Sequence, residues 1–134
     1  MRNILAAILL LMAYNLSFAT DILISDVPET DAFQIDCEIS SSEATTTTYF
    51  FDDGGNGSYL ASQTYMRDIQ STNCSIISVK FVNFNLANGT LLTIKDAVTR
   101  EVLVANATGT SLNGRTITSH HGALRFIWIS GAAR

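Results

Sequence analysis

The side chains best suited to proton transfer, ion binding or nucleophilic attack are few in this chain. Its two histidines are adjacent, His120 and His121, inside the stretch TSHHGA. Its paired carboxylates are Asp52 and Asp53, inside FFDDGGNGSYLASQTYMRDI, residues 50–69. Two aspartates and an imidazole are the parts of a small hydrolase, because carboxylates can divide acid and base roles and histidine carries a proton near neutral pH. The surroundings argue against that assembly. TSHHGA reads as a solvated turn between two strands. Asp52-Asp53 has no plausible partner acid. No serine stands in a Gly-x-Ser-x-Gly elbow. The expectation is a protein without catalysis, with a hydrolase using Asp52, Asp53 and His120 as the rival reading.

The same stretch also invites an ion-binding reading. Asp52, Gly54, Asn56 and Gly57 partly echo a calcium loop of EF-hand type. The echo fails where Gly54 occupies the third position, where Gln63 stands in place of the closing glutamate, and where no helices flank the loop. A phosphate-binding loop would end in Gly-Lys-Ser/Thr, which is absent. What remains is a glycine-rich connection between strands, and no cofactor is expected. Trp128 alternates with Leu124 and Phe126, a stripe that is core first and a ligand platform second.

The chain has two cysteines, Cys37 and Cys74. In an exported protein an even count points to a disulfide, Cys37–Cys74; the alternative is two free buried thiols. Two cysteines cannot make a zinc site by themselves. His120 and His121 could in principle join them, but neighbours on a strand face opposite ways and nothing in the sequence brings them near.

The elements that would carry these residues are strands. The candidates are 21–26, 33–39, 46–52, 63–69, 74–86, 90–95, 101–105, 115–119 and 122–130, each short and rich in Ile, Val, Phe, Tyr and Thr. None has sustained helical spacing. Asn-Gly, the strongest short hairpin signal, occurs at 56–57, 88–89 and 113–114, each time between strand candidates. No internal repeat is visible.

Residues 1–19 read as a signal peptide. Arg2 gives the positive start, Ile4 to Tyr14 an unbroken apolar run, and Ser17 and Ala19 a small-residue cleavage site. The run is too short to span a bilayer as a helix, which takes about twenty apolar residues. The chain is then secreted, and residues 20–134 form one domain of ordinary size. Eight basic against twelve acidic residues leave a net charge of −4. Such a balance disfavours nucleic acid and anionic lipid as partners. Beyond residue 19, four Asn-x-Ser/Thr sites, at Asn56, Asn73, Asn88 and Asn106, would carry glycans in a eukaryotic source.

The order of signals from Cys37 to Ser130 resembles a CUB domain, especially the exported bacterial kind. A first cysteine precedes the aromatic-Asp-Asp-Gly-Gly-Asn-Gly-Ser-Tyr segment; a second cysteine then leads into ISVKFVNFNL, LLTIKDA, TITS and ALRFIWIS. The resemblance implies an all-β fold, a two-sheet antiparallel β-sandwich of jelly-roll type, with Tyr59 packing beneath the glycine-rich turn. It implies an extracellular, non-catalytic binding or adhesion module that recognises protein or carbohydrate. A docking domain cut from a larger secreted enzyme, such as a protease, is the alternative. Many such domains hold calcium through three carboxylates. Here those positions fall on Ala87, Thr90 and on or near Gly131, none of them acidic, so no metal is expected.

The family continues through one more strand after the last apolar one, and here that strand is missing. The resemblance therefore leaves 122–130 as an open sheet edge. Leu124, Phe126 and Trp128 would face the core, with Arg125, Ile127 and Ile129 on the other face. Self-association through that edge, or a partner that donates a strand, is expected, with residues 20–36 folding back to cover the edge as the alternative; Ile127→Lys is expected to abolish the association.

Overall fold

A computed structural model describes residues 5–12, 22–28, 32–35, 45–52, 59–72 and 74–131. Every regular element among them is a strand. In chain order these are β1 (Leu5–Met12), β2 (Ile22–Leu23), β3 (Phe33–Ile35), β4 (Thr45–Phe51), β5 (Thr64–Ser71), β6 (Ile77–Phe84), β7 (Leu91–Asp96), β8 (Val102–Ala107), β9 (Thr116–Ser119) and β10 (Ala123–Ile129). No helix among the described residues is long and apolar enough to cross a membrane.

The strands form two five-stranded sheets, in the orders β2-β4-β1-β6-β9 and β3-β5-β10-β7-β8. Each sheet is mixed, which corrects the expectation of purely antiparallel pairing. β2 runs parallel to β4, and β3 parallel to β5; the other pairs are antiparallel. Both parallel pairs lie at a sheet edge and are only two or three residues long, where slanted parallel bonding is short enough to be tolerated.

Period-two alternation decides what is buried. On β7, Leu92, Ile94 and Asp96 turn inward; on β10, Leu124, Phe126 and Trp128 are fully enclosed. β6 contributes Ile77, Val79, Phe81 and Phe84. Both sheets feed one cluster, with the Phe50 ring 4.8 Å from Phe126 and the Tyr59 ring edge-on to Trp128 at 5.2 Å. The stripe of Leu124, Phe126 and Trp128 is core, as its alternation requires.

The open-edge expectation fails. β10 is the middle strand of its sheet, paired along Ala123–Ile129 with β5 and along Leu124–Ile129 with β7. Its outward residues Arg125, Ile127 and Ile129 lie beside those neighbours' side chains, so residues 122–130 offer no free backbone for self-association, and Ile127→Lys loses its rationale. The resemblance puts the last apolar run at the rim because the family's further strand does not follow it. Strand order in space does not follow chain order here, and the edges of that sheet are β3 and β8.

The same fact demotes the Asn-Gly signals. Among the described residues only β7 and β8 are both consecutive and paired, and they are joined by Ala97 to Glu101 without an Asn-Gly. Asn88-Gly89 and Asn113-Gly114 instead lie where the chain passes from one sheet to the other, with φ of +83° and +74° at their glycines. They supply left-handed backbone for a crossover. Asn56-Gly57 lies outside the described residues.

In the full chain, Leu5–Met12 pairs with β4 on one side and β6 on the other. A short continuous apolar run fits a leader and a buried strand equally well, because periodicity is what separates elements and such a run has none.

Candidate functional site

The best-connected polar cluster gathers at one end of the two sheets, around Asp96. This residue closes β7 and opens the turn into β8. Its Oδ1 accepts hydrogen bonds from the backbone N–H groups of Val98 and Thr99, both at 2.9 Å. The N–H of Arg100 donates to its carbonyl, at 2.9 Å. The sequence DAVTR builds this locally: an aspartate collects the amides two and three residues on, and Thr99 Oγ1 accepts from the Glu101 N–H.

Oδ2 reaches across to the other sheet. It accepts from the Ser119 hydroxyl at 2.7 Å and lies 2.8 Å from His121 Nδ1. Ser119 Oγ accepts in turn from the His121 N–H, at 3.0 Å. The carboxylate is only 3% exposed. Burial pushes its pKa up, but the bonds from Thr99, Ser119, His121 and Val98 outweigh that and hold it well below the usual carboxylate range. The cluster thus bolts β7 of one sheet to the end of β9 in the other.

Serine, histidine and aspartate in contact suggest a nucleophilic triad, and the geometry is a different one. A triad serine gives its proton to the imidazole. Here Ser119 gives it to the carboxylate, and Ser119 is almost wholly buried. What faces outward is His121, whose side chain is 50% exposed and whose Nδ1 is anchored on Asp96. It borders a cleft of about 190 Å³ with Asp68, Gln70, Ser71 and Gly122. Asp68 in turn holds Arg125 by a two-point ion pair at 2.8 and 2.9 Å, which raises the guanidinium pKa.

The three positions assigned to calcium ligands do come together. The Ala87 N–H donates to the Tyr59 hydroxyl at 2.8 Å, that hydroxyl donates to Thr90 Oγ1 at 3.2 Å, and the Gly131 N–H also donates to Thr90 Oγ1 at 3.1 Å. Tyr59 and Thr90 are enclosed. A neutral hydrogen-bond network therefore occupies the place where the resemblance puts three acids, and Tyr59 ties it together. Residues 53–58, Asp53 and Asn56 among them, lie outside the described residues, as do Cys37 and Asn73.

Of the suggested hydrolase residues, Asp52 is fully buried at the end of β4 and His120 is exposed on the turn before β10. The histidine that meets a carboxylate is His121, and the carboxylate is Asp96. The sequence held one signal for this, the Asp-x-x-Thr turn of residues 96–99; nothing local paired it with a histidine 25 positions later. Cys74 is not a free thiol. Of the glycan acceptors, Asn88 is exposed on its turn, and Asn106 is exposed with φ +51° and tied to Thr93.

Compared with protein-family models, with curated proteins and with solved structures, the chain matches none.

Proposed function

We propose that this protein is a secreted, non-catalytic binding module, a CUB-like two-sheet β-sandwich of jelly-roll type that recognises a protein or carbohydrate. The observation that carries the reading is the orientation of Ser119. Its proton is spent on Asp96, so the one Ser-His-Asp contact among the described residues is a structural bolt. What it leaves toward solvent is a polar recess beside His121, with amide, hydroxyl and carboxylate groups at its rim. Such groups orient a ligand by hydrogen bonds without transforming it.

Export is supported by the leader pattern of residues 1–19, and the Cys37–Cys74 bridge by the even cysteine count together with Cys74 lacking a free thiol. The same recess would serve a docking domain of a larger secreted enzyme. Binding of the secreted product to arrayed glycans and extracellular proteins tests the reading. Gln70→Ala, at the exposed rim, should weaken a captured ligand at least severalfold while the melting temperature stays put. Turnover of ester, peptide or glycoside substrates that disappears in His121→Ala would overturn it in favour of a hydrolase.

A further inference from the structure

The centre of one sheet is held by a segment that reads as a leader. Ala7–Met12 pair antiparallel with β4, and Leu5–Leu11 pair antiparallel with β6. Beyond them β4 has only the two-residue β2, and β6 has β9. Cleavage after Ala19 therefore does not trim an end of the fold. It removes the middle strand of five and leaves β4 and β6 facing one another across a gap one strand wide, about 9–10 Å. Each then presents a row of unpaired N–H and C=O groups. Phe50 on β4, and Ile77, Val79, Phe81 and Phe84 on β6, are all fully enclosed in the full chain and border that gap.

Among the described residues, every other strand of the processed chain already has its own place in a sheet. β2 already lies on the far side of β4. After residue 19, the longest stretch outside the described residues is 36–44, DCEISSSEA, which lacks an apolar run. A second processed copy lacks the same strand, so exchange between copies cannot fill both gaps. We infer that the secreted form is a strand acceptor: the gap between β4 and β6 takes an extended apolar segment of about eight residues from a different polypeptide, antiparallel to both neighbours. This rests on the export reading above. The register shift between Ala6 and Ala7 gives β6 one extra residue, Val82, and fixes how a donor must lie. Backbone pairing on two sides supplies affinity, and the core-facing positions supply selectivity.

The test expresses the full gene product in a secreting host, sequences its N-terminus, and titrates it with a labelled peptide of residues 4–13 flanked by lysines. We expect a chain beginning at Thr20 that binds the peptide and melts roughly 10 °C higher at a hundredfold excess over Kd. The same peptide with Leu9→Pro should bind roughly tenfold or more weaker, because proline cannot donate to the ladder. A chain beginning at Thr20 that ignores the peptide, stays monomeric and already protects the amides of residues 77–84 from exchange overturns the acceptor and leaves the export reading standing. A chain that stays inside the cells and begins at Met1 overturns both.

Discussion

Asp96→Ala should be among the most damaging single changes in this domain. The carboxylate accepts from two turn amides and the Ser119 hydroxyl, and it also meets His121 Nδ1. A hydrogen bond to a charged group contributes about 1.5–3 kcal/mol, and an orphaned buried donor costs about as much. The two amides are partly exposed, so water recovers some of their loss, whereas Ser119 is enclosed. The net cost is then about 3–4 kcal/mol, a fall in melting temperature of about 10–20 °C for a domain of this size. Asp96→Asn should cost less, about 1–2 kcal/mol. Its carbonyl oxygen can keep the two amides, and Ser119 Oγ can turn to accept from the new amide.

The pair also separates charge from shape. In the folded protein the Asp96 carboxyl is held below its ordinary range, so the folded state binds this proton more weakly than the unfolded one. Its contribution is complete above the unfolded pKa, about 4, and is lost as the pH falls below that. Urea titrations at pH 7 and pH 3 measure it, and comparing wild type with Asp96→Asn cancels the other carboxylates. Wild type should lose more stability on acidification than the variant. Equal losses, or an Asp96→Ala protein that melts within 3 °C of wild type, would show the bolt to be inert.

Three other outcomes can be checked alongside. Tyr59→Phe keeps the ring on Trp128 but leaves the Ala87 N–H without its acceptor, and should cost about 1–3 kcal/mol by chemical denaturation. Gly131→Ala would place a Cβ 2.9 Å from the Gly89 carbonyl oxygen, so the backbone must move, with an expected cost of about 1–3 kcal/mol. Thermal melts in millimolar calcium and in chelator should coincide, because Ala87, Thr90 and Gly131 bond to one another or to Tyr59 and offer no charge; a calcium-dependent rise would place a cation elsewhere.

Alternation along single segments was enough to read the all-β class, nine strand positions and the inward stripe of Leu124, Phe126 and Trp128. Those properties are local, since a strand's two faces are set by a period of two residues whatever it pairs with. Partnership is not local. Consecutive strands here mostly lie in opposite sheets, so nothing along the chain says that β10 sits between β5 and β7, or that Phe33–Ile35 runs parallel to β5. The meeting of Asp96 with Ser119 and His121 follows from that arrangement, because Asp96 ends β7 in one sheet, Ser119 ends β9 in the other and His121 lies on the turn that follows, so they touch only once the sheets close on a shared core. The clustering of Ala87, Thr90 and Gly131 around Tyr59 has the same origin. At Leu5–Met12 the sequence is ambiguous for a physical reason: an uninterrupted apolar run satisfies a leader's need for hydrophobicity and a central strand's need for burial alike, and its place between β4 and β6 is decided only by the tertiary fold.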